Sequence, residues 1–150
     1  MEYAACLSRL QRLCSRAEYC AQDMYRKALK DLEGDSSAAA RVVAALKADK
    51  YVDDARYASA FAREKSSLQG WGPVKIRFQL RGKGISEDDI AAGMAEIEQP
   101  KAHAKLERLV AEKYKALEGD PQSKLKLLKY ALSRGYDYDQ VASVVDSVMA

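Results

Sequence analysis

Apolar residues recur along this chain at steps of three and four, the spacing that places them on one face of an α-helix. Ile90, Met94 and Ile97 form one such stripe. Leu106, Leu109, Val110 and Leu117 form another, and Val141, Val144, Val145 and Val148 a third. Between the last two, Leu125, Leu128 and Leu132 line a further helix. The polar residues between the stripes agree with these periods. Asp53 and Ser86 stand where a side-chain oxygen caps a helix start, and Asp137 with Gln140 reads as a capping box. Pro73 and Pro100 suit a first helical turn, where a missing N–H costs little. Gly70 with Gly72, Gly82 with Gly84, then Gly119 and Gly135 mark the stops. In the first third the pattern predicts helices near 3–15, 19–32 and 37–49. Valine runs against helix propensity in the last segment, but spacing and cap still favour a helix there.

The punctuation itself repeats. Gly84-Ile85-Ser86 and Gly135-Tyr136-Asp137 lie 51 positions apart. The same step carries Ile76 onto Tyr25 and Leu127, Leu80 onto Leu29, and Ile90 onto Val141. It also carries Met94 onto Val43 and Val145, and Ile97 onto Leu46 and Val148. A shared apolar frame across three segments predicts an all-α chain of three tandem three-helix repeats, over 1–52, 53–99 and 100–150. One triplet buries little apolar area alone, so stacking should complete the core and give an elongated, curved array.

Composition narrows the function classes. A length of 150 residues suits one domain or a short array of repeats, and 48% apolar content is enough for a core. With 31% charged residues and a net charge of +3, neither disorder nor a strong overall polyanion affinity is expected. Cys6, Cys14 and Cys20 are odd in number and lack a Cys-x-x-Cys pair, so reduced thiols in a cytoplasmic protein are expected. No signal-peptide pattern or membrane-length apolar run is visible.

The charges are unevenly placed. Arg63, Lys65, Lys75, Arg77, Arg81 and Lys83 fall in a stretch whose only acid is Glu64. From Ile85 to Glu98 there are five acids and no Lys or Arg. The repeat step relates Lys75 to Lys126, Arg77 to Arg26, Arg81 to Lys30 and Lys83 to Arg134, with Lys27 and Lys129 close by. Second helices placed side by side would form a basic stripe, suited to a phosphate backbone or an acidic protein groove. The plainer alternative is a set of solvated helix faces. Acidic third helices argue against sequence-specific reading of the major groove. Tyr57, Tyr130 and Tyr136 fall at packing positions, whereas Trp71 either packs over a helix start or makes an exposed contact.

Reactive chemistry is sparse. His103 has no second His or nearby Cys to share a metal, and no Gly-rich loop carries the following Lys-Ser/Thr of a phosphate cradle. The pairs Asp53-Asp54 and Asp88-Asp89 sit at helix starts, where carboxylates favour the dipole. The expectation is a binding protein, not an enzyme, with no cofactor or metal.

Three blocks carry a resemblance. Tyr51-Val52-Asp53-Asp54-Ala55-Arg56-Tyr57-Ala58 with Phe61 resembles a segment of the RecX family of bacterial recombination regulators. Gly72-Pro73, Ile76-Arg77, Leu80 and Lys83-Gly84-Ile85 resemble its next block, and Tyr130 with Arg134-Gly135-Tyr136 its C-terminal block. The family's Arg-Gly-Lys-Gly entry to the second helix stands here as Gln69-Gly70-Trp71-Gly72. The resemblance implies three tandem three-helix repeats and a monomer that binds the groove of the RecA filament. It implies inhibition of RecA ATPase and strand exchange, with single- or double-stranded DNA contacted without sequence specificity. Matched positions put Lys75, Arg77, Arg81 and Lys83 first as contacts, then Lys126, Lys129 and Arg134, then Arg26, Lys27 and Lys30. The rival expectations are a nonspecific DNA-binding helical array without a RecA target and a plain interaction scaffold.

Overall fold

The computed structural model describes all 150 residues and contains nine helices and no strand. In order they are α1 (Tyr3–Cys14), α2 (Ala21–Asp31), α3 (Ser36–Ala48), α4 (Asp54–Ser67), α5 (Pro73–Gly82), α6 (Glu87–Met94), α7 (Gln99–Ala116), α8 (Ser123–Ser133) and α9 (Tyr138–Met149). They are tandem three-helix repeats. Local chemistry starts them where expected. Asp35 accepts from Ala38 N at 3.0 Å, Asp53 from Arg56 N at 3.0 Å, and Ser86 from Asp89 N at 3.2 Å. Each such cap contributes about 1 kcal/mol.

The second helix of every repeat ends alike. Glu33, Gly84 and Gly135 stand 51 positions apart and take φ of 55°, 73° and 96°. The residue after the first two closes the helix in the same way, Gly34 N donating to Leu29 O at 2.8 Å and Ile85 N to Leu80 O at 3.2 Å. A left-handed residue lets the chain turn back and satisfy a last-turn carbonyl.

Three sequence expectations need correction. On α8 the buried residues are Leu127 and Ala131, while Leu125 and Leu132 are 50% and 39% exposed. The leucine-rich segment fits two stripes, and packing against α7 and α9 selects the one that the repeat step had matched to Ile76. Gln140 does not complete a capping box. Its Nε2 lies 3.0 Å from His103 Nδ1 on α7, and Asp137 alone caps α9, accepting from Asp139 N at 3.0 Å. Ile97 lies beyond α6, because Glu96 N and Ile97 N turn back to Gly93 O and Met94 O, tightening the chain out of the helix.

The chain divides into two compact units, residues 1–60 with 80–92, and residues 61–79 with 93–150. In the first, α1–α3 close over Cys6, Leu10, Met24, Ala28, Ala39, Val42, Val43, Leu46 and Val52. In the second, α7–α9 close over Leu106, Val110, Leu127, Ala131, Tyr136, Val141, Val144 and Val145. The middle triplet contributes residues to both units.

Candidate functional site

In the second unit two of the sequence blocks grip each other. Gly72 N donates to Arg134 O at 2.7 Å, and Val74 N donates to Gly135 O at 2.9 Å. The Tyr136 hydroxyl donates to Gly70 O at 3.0 Å, and Arg134 Nη2 donates to Gln69 O. Gly72 has no room for a side chain, because a Cβ there would fall on the Gly135 carbonyl and lie 2.5 Å from Tyr136 N. Arg134 therefore holds the loop before α5, and its Nε is buried without a partner.

That loop presents Trp71, half-buried and edge-on to Phe61 with ring centroids 6.1 Å apart. Lys65 Nζ lies 4.9 Å and Lys75 Nζ 4.3 Å from the Trp71 centroid. Trp71 thus packs at a helix start, the first of its two alternatives, and also carries two ammonium groups. Near it a groove of about 410 Å³ is lined by Arg63, Ser66, Lys101, Lys105 and Arg108, with Ile97 in its wall. Its acids are already engaged, Glu96 with Arg63 at 3.8 Å and Glu98 with Lys101 at 2.8 Å.

In the first unit Lys83-Gly84-Ile85 meets the start of α2. Cys20 Sγ lies 3.8 Å from Lys83 O, and Lys83 Nζ bonds to Asp23 at 3.0 Å. Burial pushes the Cys20 thiol up to about 11, which keeps it protonated and unreactive. Burial alone would lower Lys83, but the Asp23 carboxylate together with neighbouring Tyr57 and Cys20 outweighs it, and the ammonium ends above its ordinary value.

The twelve predicted basic contacts therefore differ in availability. Arg26, Lys30, Arg77 and Lys129 are exposed and form no ion pair. Lys27 lies over the Tyr19 ring at 5.7 Å. Arg63 and Arg81 pair with Glu96 and Glu87, and Lys126 pairs with Asp120 at 2.5 Å. The Arg81 and Glu87 side chains are 53% and 68% exposed, so that pair is easily exchanged for a partner's charge. Lys83 and Asp23 are 35% and 18% exposed, so their pair chiefly supports the fold.

What sequence reasoning missed is apolar. Val74 is 53% and Phe78 71% exposed on α5. The signal was present, since the 51-residue step aligns Phe78 with Lys27 and Lys129, an apolar residue where the other repeats carry charge. No group of His, Cys, Asp and Glu is arranged to hold a metal, and no helix is long and apolar enough to cross a membrane.

Residues 53–94 match the family model described as RecX, second three-helix domain. The regulatory protein RecX of Chromohalobacter salexigens is 31% identical over 131 residues, covering 87% of this chain and 84% of that protein. The chain belongs to the RecX family. The regulatory protein RecX of Salmonella typhimurium is 26% identical over 151 residues, 95% of this chain and 90% of that one. A crystal structure of RecX from Lactobacillus salivarius superposes with a TM-score of 0.81 at 16% identity, over 97% of this chain and 96% of that chain. Another RecX crystal structure gives 0.84 at 21% identity, over 96% of this chain and 71% of that chain. These relatives are named regulatory proteins. The family match spans Asp53 to Met94, and so takes in the Asp53 cap and the Gly72 half of the Gly72–Gly135 contact.

Proposed function

We propose that this chain regulates RecA, chiefly as an inhibitor, by binding the groove of the RecA–DNA filament and so changing ATPase and strand exchange. Membership of a family of regulatory proteins supports the reading. The observation that carries it is the set of exposed, unpaired cations on second helices: Arg26 and Lys30 on α2, Arg77 on α5 and Lys129 on α8. These side chains meet an anionic surface without first breaking an internal pair. Lys27, Lys65 and Lys75, loosely held over aromatic rings, come next as contacts, then Arg63, Arg81 and Lys126. Lys83 and Arg134 are tied to the fold and contribute least. Nearby DNA is met through its phosphates, without sequence preference.

The test is the DNA-dependent ATPase of RecA, titrated with the chain and with a variant in which Arg26, Lys30, Arg77 and Lys129 are each replaced by Glu. Inhibition below one copy per RecA by the natural chain, lost in the folded variant, is the expected result. A natural chain that leaves RecA unaffected yet binds DNA in a steeply salt-dependent way would replace this reading with a DNA-binding array.

A further inference from the structure

The repeat step lets the outward faces of the second helices be compared position by position. On α2 the four positions are Asp23, Arg26, Lys27 and Lys30; on α5 they are Val74, Arg77, Phe78 and Arg81; on α8 they are Leu125, Leu128, Lys129 and Leu132. The face is fully charged in the first repeat and partly apolar in the other two. Val74 is 53%, Phe78 71%, Leu125 50% and Leu132 39% exposed. Apart from Met1, every exposed large apolar residue lies within residues 61–79 and 93–150. Single exposed apolar residues need no explanation, but two on each of two equivalent faces, with Val74 and Leu125 at the same repeat position, do. The start of α5 and the end of α8 meet where Val74 N donates to Gly135 O.

We infer that the outward faces of α5 and α8 are an apolar anchor for the protein of the RecA filament, with Phe78 as the principal anchoring side chain. This rests on the regulatory reading above. The chemistry of the faces selects the occupant. Aliphatic Val74, Leu125 and Leu132 gain nothing from a phosphate backbone, so a nucleic acid does not account for them. A second copy of the chain is disfavoured by charge. Arg81, Lys124 and Lys126 pair with Glu87, Asp146 and Asp120, but Lys75 and Arg77 on α5 and Lys129 on α8 have no acid partner, so both faces remain net positive. Identical faces would repel, whereas a protein surface with carboxylates around an apolar pocket complements both features. The cations then set encounter rate and register, while the apolar side chains hold the complex.

The experiment measures binding to RecA filaments preassembled on single-stranded DNA with a non-hydrolysable nucleotide, using the full chain and Phe78→Ala. The expected loss is about 30-fold for a central aromatic anchor, persisting at about 0.5 M salt where surface charge is screened. Phe78→Leu should recover most of the affinity. Leu68→Ala, an exposed apolar position off both faces, should bind as the natural chain does, and helicity should be unchanged throughout. Natural-chain binding with Phe78→Ala within about threefold of it overturns the inference alone, since threefold is far below an anchor's contribution. A parallel loss of binding to free DNA overturns it in favour of base stacking. A natural chain that does not bind filaments overturns the regulatory reading and this inference together.

Discussion

Replacing Gly72 with Ala should destabilise the second unit through one contact. The new Cβ would fall on the Gly135 carbonyl and lie 2.5 Å from Tyr136 N, backbone atoms that cannot rotate away. The two segments must part, which breaks Gly72 N to Arg134 O and Val74 N to Gly135 O, at 2.7 and 2.9 Å. Each bond is worth about 1 kcal/mol net, and strain on the buried bond from Tyr136 to Gly70 adds a similar amount. Stiffening the unfolded chain returns about 0.4–1 kcal/mol. The net cost is about 2–3 kcal/mol, equivalent to a Tm lower by roughly 5–10 °C at this size. Gly82→Ala is the control. It closes α5 with nothing within 4 Å of an added Cβ, and should be neutral or stabilising by up to about 1 kcal/mol. Urea titrations of both variants, followed by circular dichroism, give the comparison. A Gly72→Ala chain within about 0.5 kcal/mol of the natural one would mean the contact is not a fixed part of the fold.

Other consequences can be measured alongside. Leu127→Ala should cost about 2–5 kcal/mol and Leu125→Ala less than about 0.5, which tests the rotation of α8 by urea unfolding. Stability should fall as pH rises above about 9, because the unfolded chain ionises its thiols and tyrosines before buried Cys20 and Tyr57 can do so. Lys83 acts in the same direction, since its ammonium is favoured in the fold and that advantage is lost as pH passes its raised value. For Cys20, raised from 9.0 to about 11, full ionisation would remove about 2–3 kcal/mol, read as a lower urea midpoint. A thiol reagent should label half-buried Cys14 slowly in the native chain, and Cys6 and Cys20 only after unfolding.

The helical plan was legible because caps, prolines and glycines agree with the apolar period at nearly every boundary. The repeat step was a better guide than local spacing. It matched Leu127 to the buried Ile76, whereas spacing alone chose Leu125 and Leu132, which face solvent. A segment with leucine at four positions in eight satisfies two registers, and only neighbouring helices distinguish them. The basic residues were visible, but their availability was not. Lys83 meets Asp23 from 60 positions away and Arg134 reaches Gln69 from 65, and nothing in sequence order brings those atoms together. Phe78 was overlooked because an apolar residue in a helix is read first as core.

Trp71 gives the chain an optical gauge of its own. It is the sole tryptophan, and it stands in the loop that Arg134, Gly135 and Tyr136 hold. Its emission therefore reports on that loop, while circular dichroism sums all nine helices. Coincident fluorescence and circular dichroism transitions would mean that the chain unfolds as one cooperative body. An earlier fluorescence transition would time the release of the loop separately from the melting of the helices.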